Sequence, residues 1–298
     1  MSREYDRKHT PKIPTTPEEQ LDKLRERGCV VEDEQRGVQV LKDINYFRLA
    51  YYFSLFLETK GKYREGTTFD KVMRVYDFDR RLRSLLLEIL EEIEISLRAH
   101  CSNFHAIKYG ALGYLNGDNF ARVHKHQPFL GRVERLIESN EDSDLVKHYK
   151  GKHGGKFPLW VITELFSFGS LNMFYKDLKP QDKTEIAEKH YGMSSGALEN
   201  RIDRLSDLRN HCAHYHRLYD SAIGDLPENN SLFHHILIMK EVYSRPDNWN
   251  GYFVERLKGM CEDYGDVVEV ERLGFPEDWV EQVRVGDVDS NDSNDSKE

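Results

Sequence analysis

The sequence "FDKVMRVYDFDRRLRSLLLEILEEIEISLRAHCSNF", residues 69–104, carries the strongest periodic pattern in the chain. Its apolar residues recur at steps of four, three, four and four positions: Leu82, Leu86, Ile89, Ile93 and Leu97. Residues at this spacing lie on one face of an α-helix. Charged residues fall on the other side, among them Arg80, Arg83 and Glu91. The stretch therefore predicts a long helix that forms the spine of a helical bundle.

Upstream of this stretch, the residues around Thr16 form a helix start. Thr16 is the expected N-cap, Pro17 suits the first turn, and Glu19 completes a capping box. Gly28 is the expected stop of this helix. A second helix is predicted over residues 34–41.

The segment "INYFRLAYYFSLFLE", residues 44–58, is rich in aromatic side chains. Such density is high for a surface helix, so the segment predicts a buried helix. The following residues, 59–68, predict a loop.

Downstream of the long helix, short apolar runs alternate with glycine and proline. Helices are predicted over residues 119–139, 159–168, 170–178 and 180–192, with a loop over 151–158. Ser194 or Ser195 is expected to cap a further helix that runs to Leu218, with a buried face formed by Leu198, Ile202, Leu205, Leu208 and Cys212. Two or three weaker helices follow to Trp279. No strong run of alternating strand pattern and no internal repeat is present, which favours an all-α fold of essentially one domain.

Composition excludes several classes of protein. The 298 residues are 39% hydrophobic and 32% charged, with a net charge of −9. No run of 18 apolar residues and no apolar signal-peptide core is present, so we expect a cytoplasmic protein that does not enter a membrane. The four cysteines are far apart and form no C-x-x-C pair, which makes a disulfide framework or a cysteine-rich zinc site improbable. The acidic balance argues against a simple nucleic-acid-binding patch, although residues 79–84 and 147–156 are locally basic.

The segment "LRNHCAHYHRLYD", residues 208–220, places three histidines and two arginines within nine positions. Arg209 and His214 fit the Arg-x4–6-His spacing that marks the ribonuclease site of HEPN-type helical domains. The spacing alone has low specificity, because Arg204 with His211 and Arg209 with His216 fit it too. On a continuous helix, residues five apart differ by about 140° in direction, whereas residues seven apart nearly coincide. Arg209 and His214 would therefore meet only if the helix distorts or if a second copy of the motif faces the first.

These residue types suit metal-free RNA cleavage. Histidine is the side chain that titrates near neutral pH, so it can accept the proton of the ribose 2′-hydroxyl or protonate the leaving oxygen. Arginine stabilises the charge on the phosphorus centre, and the amide of Asn210 can orient a histidine or a phosphate. One histidine per chain supplies an acid or a base, and a two-fold dimer would supply the pair. The alternative is a solvated helix end, where basic residues complement the helix dipole.

Several blocks in a constant order carry a broader resemblance. They are "TPEEQLDKLRERGCVVED", "LKDINYFRLAYYFSLFLE", the long stretch with its Phe-Asp-Arg-x-Leu-Arg and Ile-Glu-x-x-Leu-Arg patterns, "PLWVITELFSFGSLNMFYKDL" and "LRNHCAHYHRLYD". Together they span residues 16–218, and they make the chain resemble the bacterial Abi-like family of abortive-infection proteins. Tyr219 stands where the family usually has Trp.

The resemblance implies a helical-bundle fold of the HEPN superfamily, a role in phage defence and RNA cleavage. It implies an Abi-like domain over residues 16–280 with a HEPN core at about 69–219. The polar residues 1–15 are expected to form a flexible N-terminus, and the acidic, low-complexity composition of the chain end predicts a disordered tail over residues 281–298. Carried over by position, the catalytic residues are Arg209, Asn210 and His214.

The resemblance also implies a supporting or RNA-binding group. Its members are Glu94, Arg98, His211, His216 and Arg217. Glu94 and Arg98 are four residues apart, so they form either a helix salt pair or a pair in which Arg98 acts on phosphate or holds His214. Asp79, Arg80 and Arg83 are either structural or RNA-facing, and Glu164 is a candidate buried partner of an arginine.

The loop "GKHGGKF", residues 151–157, lacks the Gly-Lys-Ser/Thr ending of a P-loop, so nucleotide hydrolysis is improbable. It is either a contact for the RNA backbone or only a mobile loop.

Three hypotheses follow. The first is a metal-independent endoribonuclease without cofactors, acting as a homodimer on RNA as its substrate, with RNA also a possible regulator. The second is a non-catalytic RNA-binding or sensor protein in a toxin–antitoxin-like defence system. The third is zinc binding by His211, Cys212, His214 and His216, which is disfavoured because four ligands within six consecutive residues do not easily surround a tetrahedral ion.

Overall fold

A single α-helix, α4, dominates the computed structural model, which describes residues 13–224 and 230–286. The helix runs over Phe69–Tyr109, five residues beyond the predicted stretch. All five residues of the predicted apolar stripe are buried, at 3% exposure or less. The predicted outer face is wrong at one position, since Arg83 is only 4% exposed. The prediction of a long spine helix is confirmed.

The fold is all-α, as predicted, apart from one small hairpin among the described residues. The helices before α4 are α1 (Pro17–Glu26), α2 (Glu34–Asp43) and α3 (Tyr46–Phe53). After α4 come α5 (His126–Ser139), α6 (Asp144–Lys152), α7 (Leu159–Ile162), α8 (Phe168–Asp177), α9 (Pro180–Tyr191) and α10 (Ser195–Ala213). The last group is α11 (Leu232–Val242), α12 (Pro246–Asn248), a π-helical turn (Trp249–Val254), α13 (Glu255–Asp263) and α14 (Trp279–Val283).

Two compact units divide the described chain. One contains residues up to Arg80 together with Glu262–Val268, and the other contains Arg81–Cys261 and the residues from Glu269 onward. Helix α4 contributes its first part to one unit and its remainder to the other. Placement of the helices in a HEPN-type core stays a prediction.

In the first unit, α1 begins as expected. The Thr16 hydroxyl accepts a hydrogen bond from the Glu19 amide, and the Glu19 carboxylate accepts one from the Thr16 amide. The predicted helix over residues 44–58 is wrong in its second half, because α3 ends at Phe53 and a hairpin of β1 (Leu57–Thr59) and β2 (Lys62–Tyr63) follows. Gly61 turns this hairpin at φ 87°, a conformation open to glycine. Aromatic density was therefore a poor guide to helix length.

In the second unit, one predicted helix begins later than expected, and one observed helix was not predicted. The helix expected from residue 119 begins at His126, which places Pro128 in the first turn, where a missing N–H costs least. Helix α6 was not predicted, and it is capped by the Ser143 hydroxyl, which accepts from the Val146 amide.

Helices α8, α9 and α11 all contact α10. The predicted stripe of α10 is buried throughout, at 3% exposure or less. None of the described helices is long and apolar enough to cross a membrane.

Two predicted terminal segments fall mainly outside the described residues. Only residues 13–15 of the predicted N-terminal segment 1–15 are described. Of the predicted tail 281–298, only residues 281–286 are described, and α14 occupies the first three of them.

Candidate functional site

The motif lies at the C-terminal end of α10. Ser194 caps the start of this helix by accepting a hydrogen bond from the Ala197 amide. The helix ends at Ala213, so the predicted end at Leu218 is wrong, and His214 is the C-cap residue. The amide of Tyr215 donates to the carbonyl of Cys212 at 3.1 Å, and the amide of His216 donates to that of His211 at 2.9 Å. These two bonds form a Schellman motif, which closes the helix.

Tyr215 occupies the left-handed position of this Schellman motif at φ 60°. Glycine is the usual residue there, because a side chain in this conformation costs roughly 1–2 kcal/mol. The sequence signal for a helix end is therefore absent, and the apolar and charged pattern seemed to continue. The break removes the predicted shared face of Arg209 and His216.

The motif histidines gather around this helix end. His214 is exposed, and its ring lies 6.3 Å from that of His216. The rings of His211 and His216 are 5.0 Å apart and nearly perpendicular. Nδ1 of His211 lies 2.9 Å from the carbonyl of Asp207. A carbonyl only accepts, so Nδ1 carries the proton, and Nε2 of neutral His211 is left as an acceptor.

Arg209 lies on another side of the helix, against α4. Its Nε is 3.8 Å from the Glu94 carboxylate. Arg98 donates to the other oxygen of Glu94 at 2.9 Å, so one carboxylate lies between two guanidinium groups. Arg98 also donates to the carbonyl of Phe166 at 3.2 Å. The salt-pair alternative for Glu94 and Arg98 is confirmed, and the pair lies beside the motif arginine. Action of Arg98 on phosphate or on His214 stays a prediction.

These three side chains line an open pocket of about 330 Å³ together with Leu87, Leu90, Glu91 and Ile95. Burial raises the pKa of the Glu94 carboxyl above its ordinary value, and the charges of Arg98 and Arg209 oppose that shift without cancelling it. The side chain of Arg98 is 12% exposed and that of Arg209 is 32% exposed. Apart from its contact with Glu94, Arg209 forms no ion pair or side-chain hydrogen bond within the described ranges. The terminal nitrogens of Arg209 are therefore available to an anionic ligand.

The arginine and the histidines do not share this pocket. None of the motif histidines lines it. Helix α10 is continuous from Arg209 to Ala213, so helix distortion does not bring Arg209 and His214 together. Of the two routes to convergence, a facing second copy is the one that the single chain leaves open.

Three other predicted residues lie outside the Arg209 pocket. The Asn210 side chain is exposed, and the backbone carbonyl of Asn210 accepts from the His214 backbone amide at 2.9 Å. Arg217 donates to the carbonyl of Asp220 at 3.2 Å. Glu164 lies 3.9 Å from Arg98, but its side chain is 58% exposed, so the expected burial of this partner is wrong.

Two structural roles become visible only in the fold. Buried Arg83 donates to the carbonyl of His216 at 3.1 Å and so anchors the segment after α10. Asp79 is fully buried and accepts from the Tyr52 hydroxyl at 2.7 Å, whereas exposed Arg80 pairs with Asp77. The structural alternative therefore accounts for Asp79 and Arg83.

Sequence analysis missed a second histidine pair near the motif. His234 and His235 lie on α11, which packs against α10. Burial, chiefly, lowers the pKa of both, that of His235 to about 4, and the positive charge of Arg204 contributes. The adjacent letters "HH" in an apolar segment were the available signal.

The described residues do not form the ligand geometry that the zinc hypothesis requires. Within residues 13–224 and 230–286, no group of three or more His, Cys, Asp or Glu side chains converges as metal ligands. Cys212, one of the hypothetical ligands, is 1% exposed in the core stripe of α10.

Comparison with known proteins gives one match. Residues 39–220 match the model of the family described as Abi-like protein, which covers more than half of the chain and includes both α4 and the motif. No curated protein and no solved structure matches the chain.

Proposed function

The chain belongs to the Abi-like protein family, and from that premise we propose that it is an abortive-infection effector that cuts RNA in the cytoplasm without a metal ion. The observation that carries the proposal is the position of the Arg209 guanidinium, which lies in a pocket beside the carboxylate of Glu94. Arg209 belongs to α10, and His214 caps the C-terminal end of the same helix. Family membership supports the role in phage defence. The pocket and the helix end support the chemistry.

Arg209 is the phosphate-binding group of this proposal. Its available terminal nitrogens suit bidentate contact with two phosphate oxygens. Glu94 holds its Nε side, and Arg98, anchored on the Phe166 carbonyl, holds Glu94. Arg98 and Glu94 are thus positioning residues, since they act through Arg209.

His214 is the proton-transfer group. It is exposed at a helix end, where a substrate can reach it. It accepts the proton of the 2′-hydroxyl as that oxygen attacks the adjacent phosphorus, or it protonates the departing 5′-oxygen. The bond to the 5′-oxygen breaks as the bond to the 2′-oxygen forms, and the product is a cyclic phosphate.

A homodimer completes the site in this proposal. The single chain keeps Arg209 and His214 on different sides of α10, so the arginine of one copy and the histidine of the other would face a common cleft. Two motifs across a two-fold axis also provide both an acid and a base. Asn210, His211 and His216 then line the cleft beside His214.

Substitution tests the catalytic roles. His214→Ala and Arg209→Ala should each abolish cleavage of cellular RNA and growth arrest, while cleavage by the unaltered chain should persist in EDTA. Wild-type activity in both variants would contradict the proposal. Loss of cleavage in EDTA would show a metal-dependent reaction instead.

Mixing of two inactive chains tests the composite site. Co-expressed Arg209→Ala and His214→Ala chains form mixed dimers in which one cleft holds one intact arginine and one intact histidine. We expect these dimers to regain part of the cleavage activity. Failure to regain activity, with mixed dimers confirmed by two affinity tags, would contradict a cleft in which the arginine of one copy and the histidine of the other suffice.

A second candidate function is RNA binding without cleavage, as a sensor in a toxin–antitoxin-like system. The absence of the motif histidines from the Arg209 pocket favours it. RNA that shifts in a gel with the purified chain, stays intact, and causes no growth arrest would establish this alternative.

A further inference from the structure

A basic segment leads along the chain to the Arg209 pocket. Between Asp144 and Glu164 the sequence contains four lysines and two histidines but no aspartate or glutamate. This is unusual in a chain with a net charge of −9. The segment contains all of α6 after Asp144, the glycine-rich loop and α7.

The lysines differ in their surroundings. Lys147 pairs with Asp142 at 3.2 Å, and Lys150 lies 3.8 Å from Glu141. Lys152 and Lys156 are exposed and have no carboxylate within 4.0 Å among the residues that the structure describes. Their charges are therefore available to an anion, with no local pair to break.

The loop that carries these two lysines has a defined shape. The rings of Tyr149 and His153 stack at 4.8 Å. The amide of Gly155 donates to the carbonyl of Tyr149, and the amide of Lys156 donates to that of His153, both at 3.1 Å. Phe157 is 5% exposed and ties the end of the loop to the core. This bracing reduces the entropy that the loop would lose on binding a ligand.

Trp160 lies in the sequence between the loop and Glu164. It is 44% exposed, whereas Trp249 and Trp279 are 0% and 7% exposed. Its neighbours Leu159 and Val161 are buried, so α7 fixes the backbone while the indole faces water. Glu164 is exposed in the 3-10 turn Thr163–Leu165 that follows α7.

Glu164 connects this path to the proposed active site. Its carboxylate lies 3.9 Å from Arg98, which contacts Glu94 and the Phe166 carbonyl. Arg98 thus offsets the one negative charge of the 145–164 segment. In chain order, Lys152 and Lys156 are followed by Trp160 and then by Glu164, whose carboxylate contacts Arg98 of the pocket.

We propose that Lys152, Lys156 and Trp160 form a binding track that holds the unpaired strand of an RNA beside the active site. The lysines contact backbone phosphates, and the indole stacks on a base. Exposed aromatics combined with basic groups bind single strands with little sequence preference, because every base has a stacking face. Paired bases are stacked on each other inside a duplex, so the track selects single strands over duplexes. The inference rests on the proposed function only for the identity of the polymer.

Tryptophan emission tests the track without any cleavage assay. Trp160 is the exposed tryptophan, so it supplies the emission that iodide quenches. A short oligouridylate and its 2′-deoxy analogue should both protect Trp160 from iodide and quench its emission, since stacking does not need the 2′-hydroxyl. A duplex of the same length should have little effect. The deoxy analogue lacks the nucleophile, so its binding is measured separately from the reaction.

Substitutions measure how much each part of the track contributes to RNA affinity. Trp160→Ala should weaken binding of a labelled oligouridylate about tenfold, and Trp160→Phe should retain most of it. The pair Lys152→Gln and Lys156→Gln should reduce the slope of log affinity against log salt by about 1.4, at about 0.7 for each phosphate of a single strand that a lysine neutralises. Lys60→Gln with Lys62→Gln removes equal charge from exposed positions on the β-hairpin and should leave the slope unchanged.

The outcomes separate this inference from the proposed function. Oligonucleotide binding that leaves Trp160 emission unchanged, equal effects of duplex and single strand, or no binding at all would each overturn the track. A change in oligomeric state on Trp160→Ala, with unchanged RNA affinity, would also overturn it and make Trp160 part of a protein interface. Stacking without cleavage in the unaltered chain would retain the track and overturn the ribonuclease.

Discussion

Two groups of histidines in this chain look alike in sequence and differ in their surroundings. The group at the end of α10 includes His214, which is exposed and forms no side-chain hydrogen bond with a described residue. The other group consists of histidines inside the fold, such as His105 on α4, which is fully buried. Both histidines have charged residues nearby in the sequence, so the sequence around them does not show which one is buried.

Burial decides what each histidine can do. The ring of His105 lies between 4.9 and 5.8 Å from those of Tyr109, Phe120 and Phe174. Neither ring nitrogen has a hydrogen-bond partner among the described residues, and burial lowers the pKa of His105 to about 4. His105 is therefore a neutral packing group at neutral pH. Water and ligands can reach the exposed ring of His214, which suits the proton-transfer role proposed for it.

The largest expected effect separates the two groups by activity. His214→Ala should lower the rate of RNA cleavage by about 10²- to 10⁴-fold, the usual contribution of a positioned acid or base. His105→Phe, which preserves an aromatic ring in an apolar site, should leave the rate within a few-fold of the unaltered chain. Single-turnover cleavage of a labelled RNA measures both. An equal loss in both variants would show that the difference in burial has no catalytic meaning.

The next effect concerns stability and pH. The pKa of His105 is about 4 in the fold and about 6.5 in an unfolded chain. The unfolded chain binds the proton first, so the stability contributed by neutral His105 is complete above about pH 6.5 and is lost as the pH falls towards 4. The two pKa values correspond to roughly 3 kcal/mol at the acidic end.

Denaturant unfolding at pH 7 and at about pH 4.5 measures this loss. His105→Phe should lose less stability between the two values than the unaltered chain. His100 and His235, whose pKa values burial also lowers to about 4, retain the remaining pH dependence. An unchanged pH dependence in His105→Phe would contradict the assignment of His105 to the packing group.

Local patterns predicted the helices that frame the site, and tertiary contacts account for what they missed. The apolar stripes of α4 and α10 repeat every turn, so each is visible within one segment. The end of α10 was missed because Tyr215, not glycine, takes the left-handed position. The β-hairpin was hidden because its aromatic and polar residues do not alternate over a useful length.

The candidate site was predicted in part. The Glu94–Arg98 pair follows from a four-residue spacing, and Arg209 and His214 came from the motif. The contact between Glu94 and Arg209 depends on how α10 lies against α4, which no single segment encodes. The separation of Arg209 from His214 followed from helix geometry, because five residues on a helix correspond to about 140°. The position of His216 did not, because the helix ends before it.

Glu94 extends the comparison, because its burial is intermediate between that of exposed His214 and that of buried His105. Its side chain is 15% exposed, and burial raises its pKa. A raised pKa means that the fold favours the protonated carboxyl, so the stability tied to that form is complete below the unfolded pKa and is lost as the pH rises through the folded pKa. Glu94→Gln mimics the neutral form and should be no less stable than the unaltered chain at pH 7.

The same variant should cleave RNA about tenfold more slowly, because Arg209 loses the charge that holds its Nε side. Glu94→Asp, which keeps the charge on a shorter side chain, should restore part of the rate. Thermal unfolding and cleavage rates together test the positioning role. A parallel loss of stability and activity in Glu94→Gln would indicate a purely structural residue.

Tyr219 supplies the smallest and most local test, at the point where the motif joins the core. It is 3% exposed, and its hydroxyl accepts a hydrogen bond from the Glu269 amide at 3.0 Å. Tyr219→Phe leaves that amide without this acceptor and should lower the free energy of unfolding by about 1–2 kcal/mol. Tyr219→Trp, which restores the usual family residue, should not recover the loss, since an indole N–H donates and cannot accept.

Cleavage activity should survive both Tyr219 substitutions at temperatures where the chain stays folded, because Tyr219 belongs with the buried packing groups and His214, five residues earlier, does not. Urea unfolding and single-turnover cleavage on the same preparations measure the two properties. A loss of cleavage in Tyr219→Phe with unchanged stability would move the boundary of the active site past Leu218 and into the segment that Arg83 anchors at the His216 carbonyl.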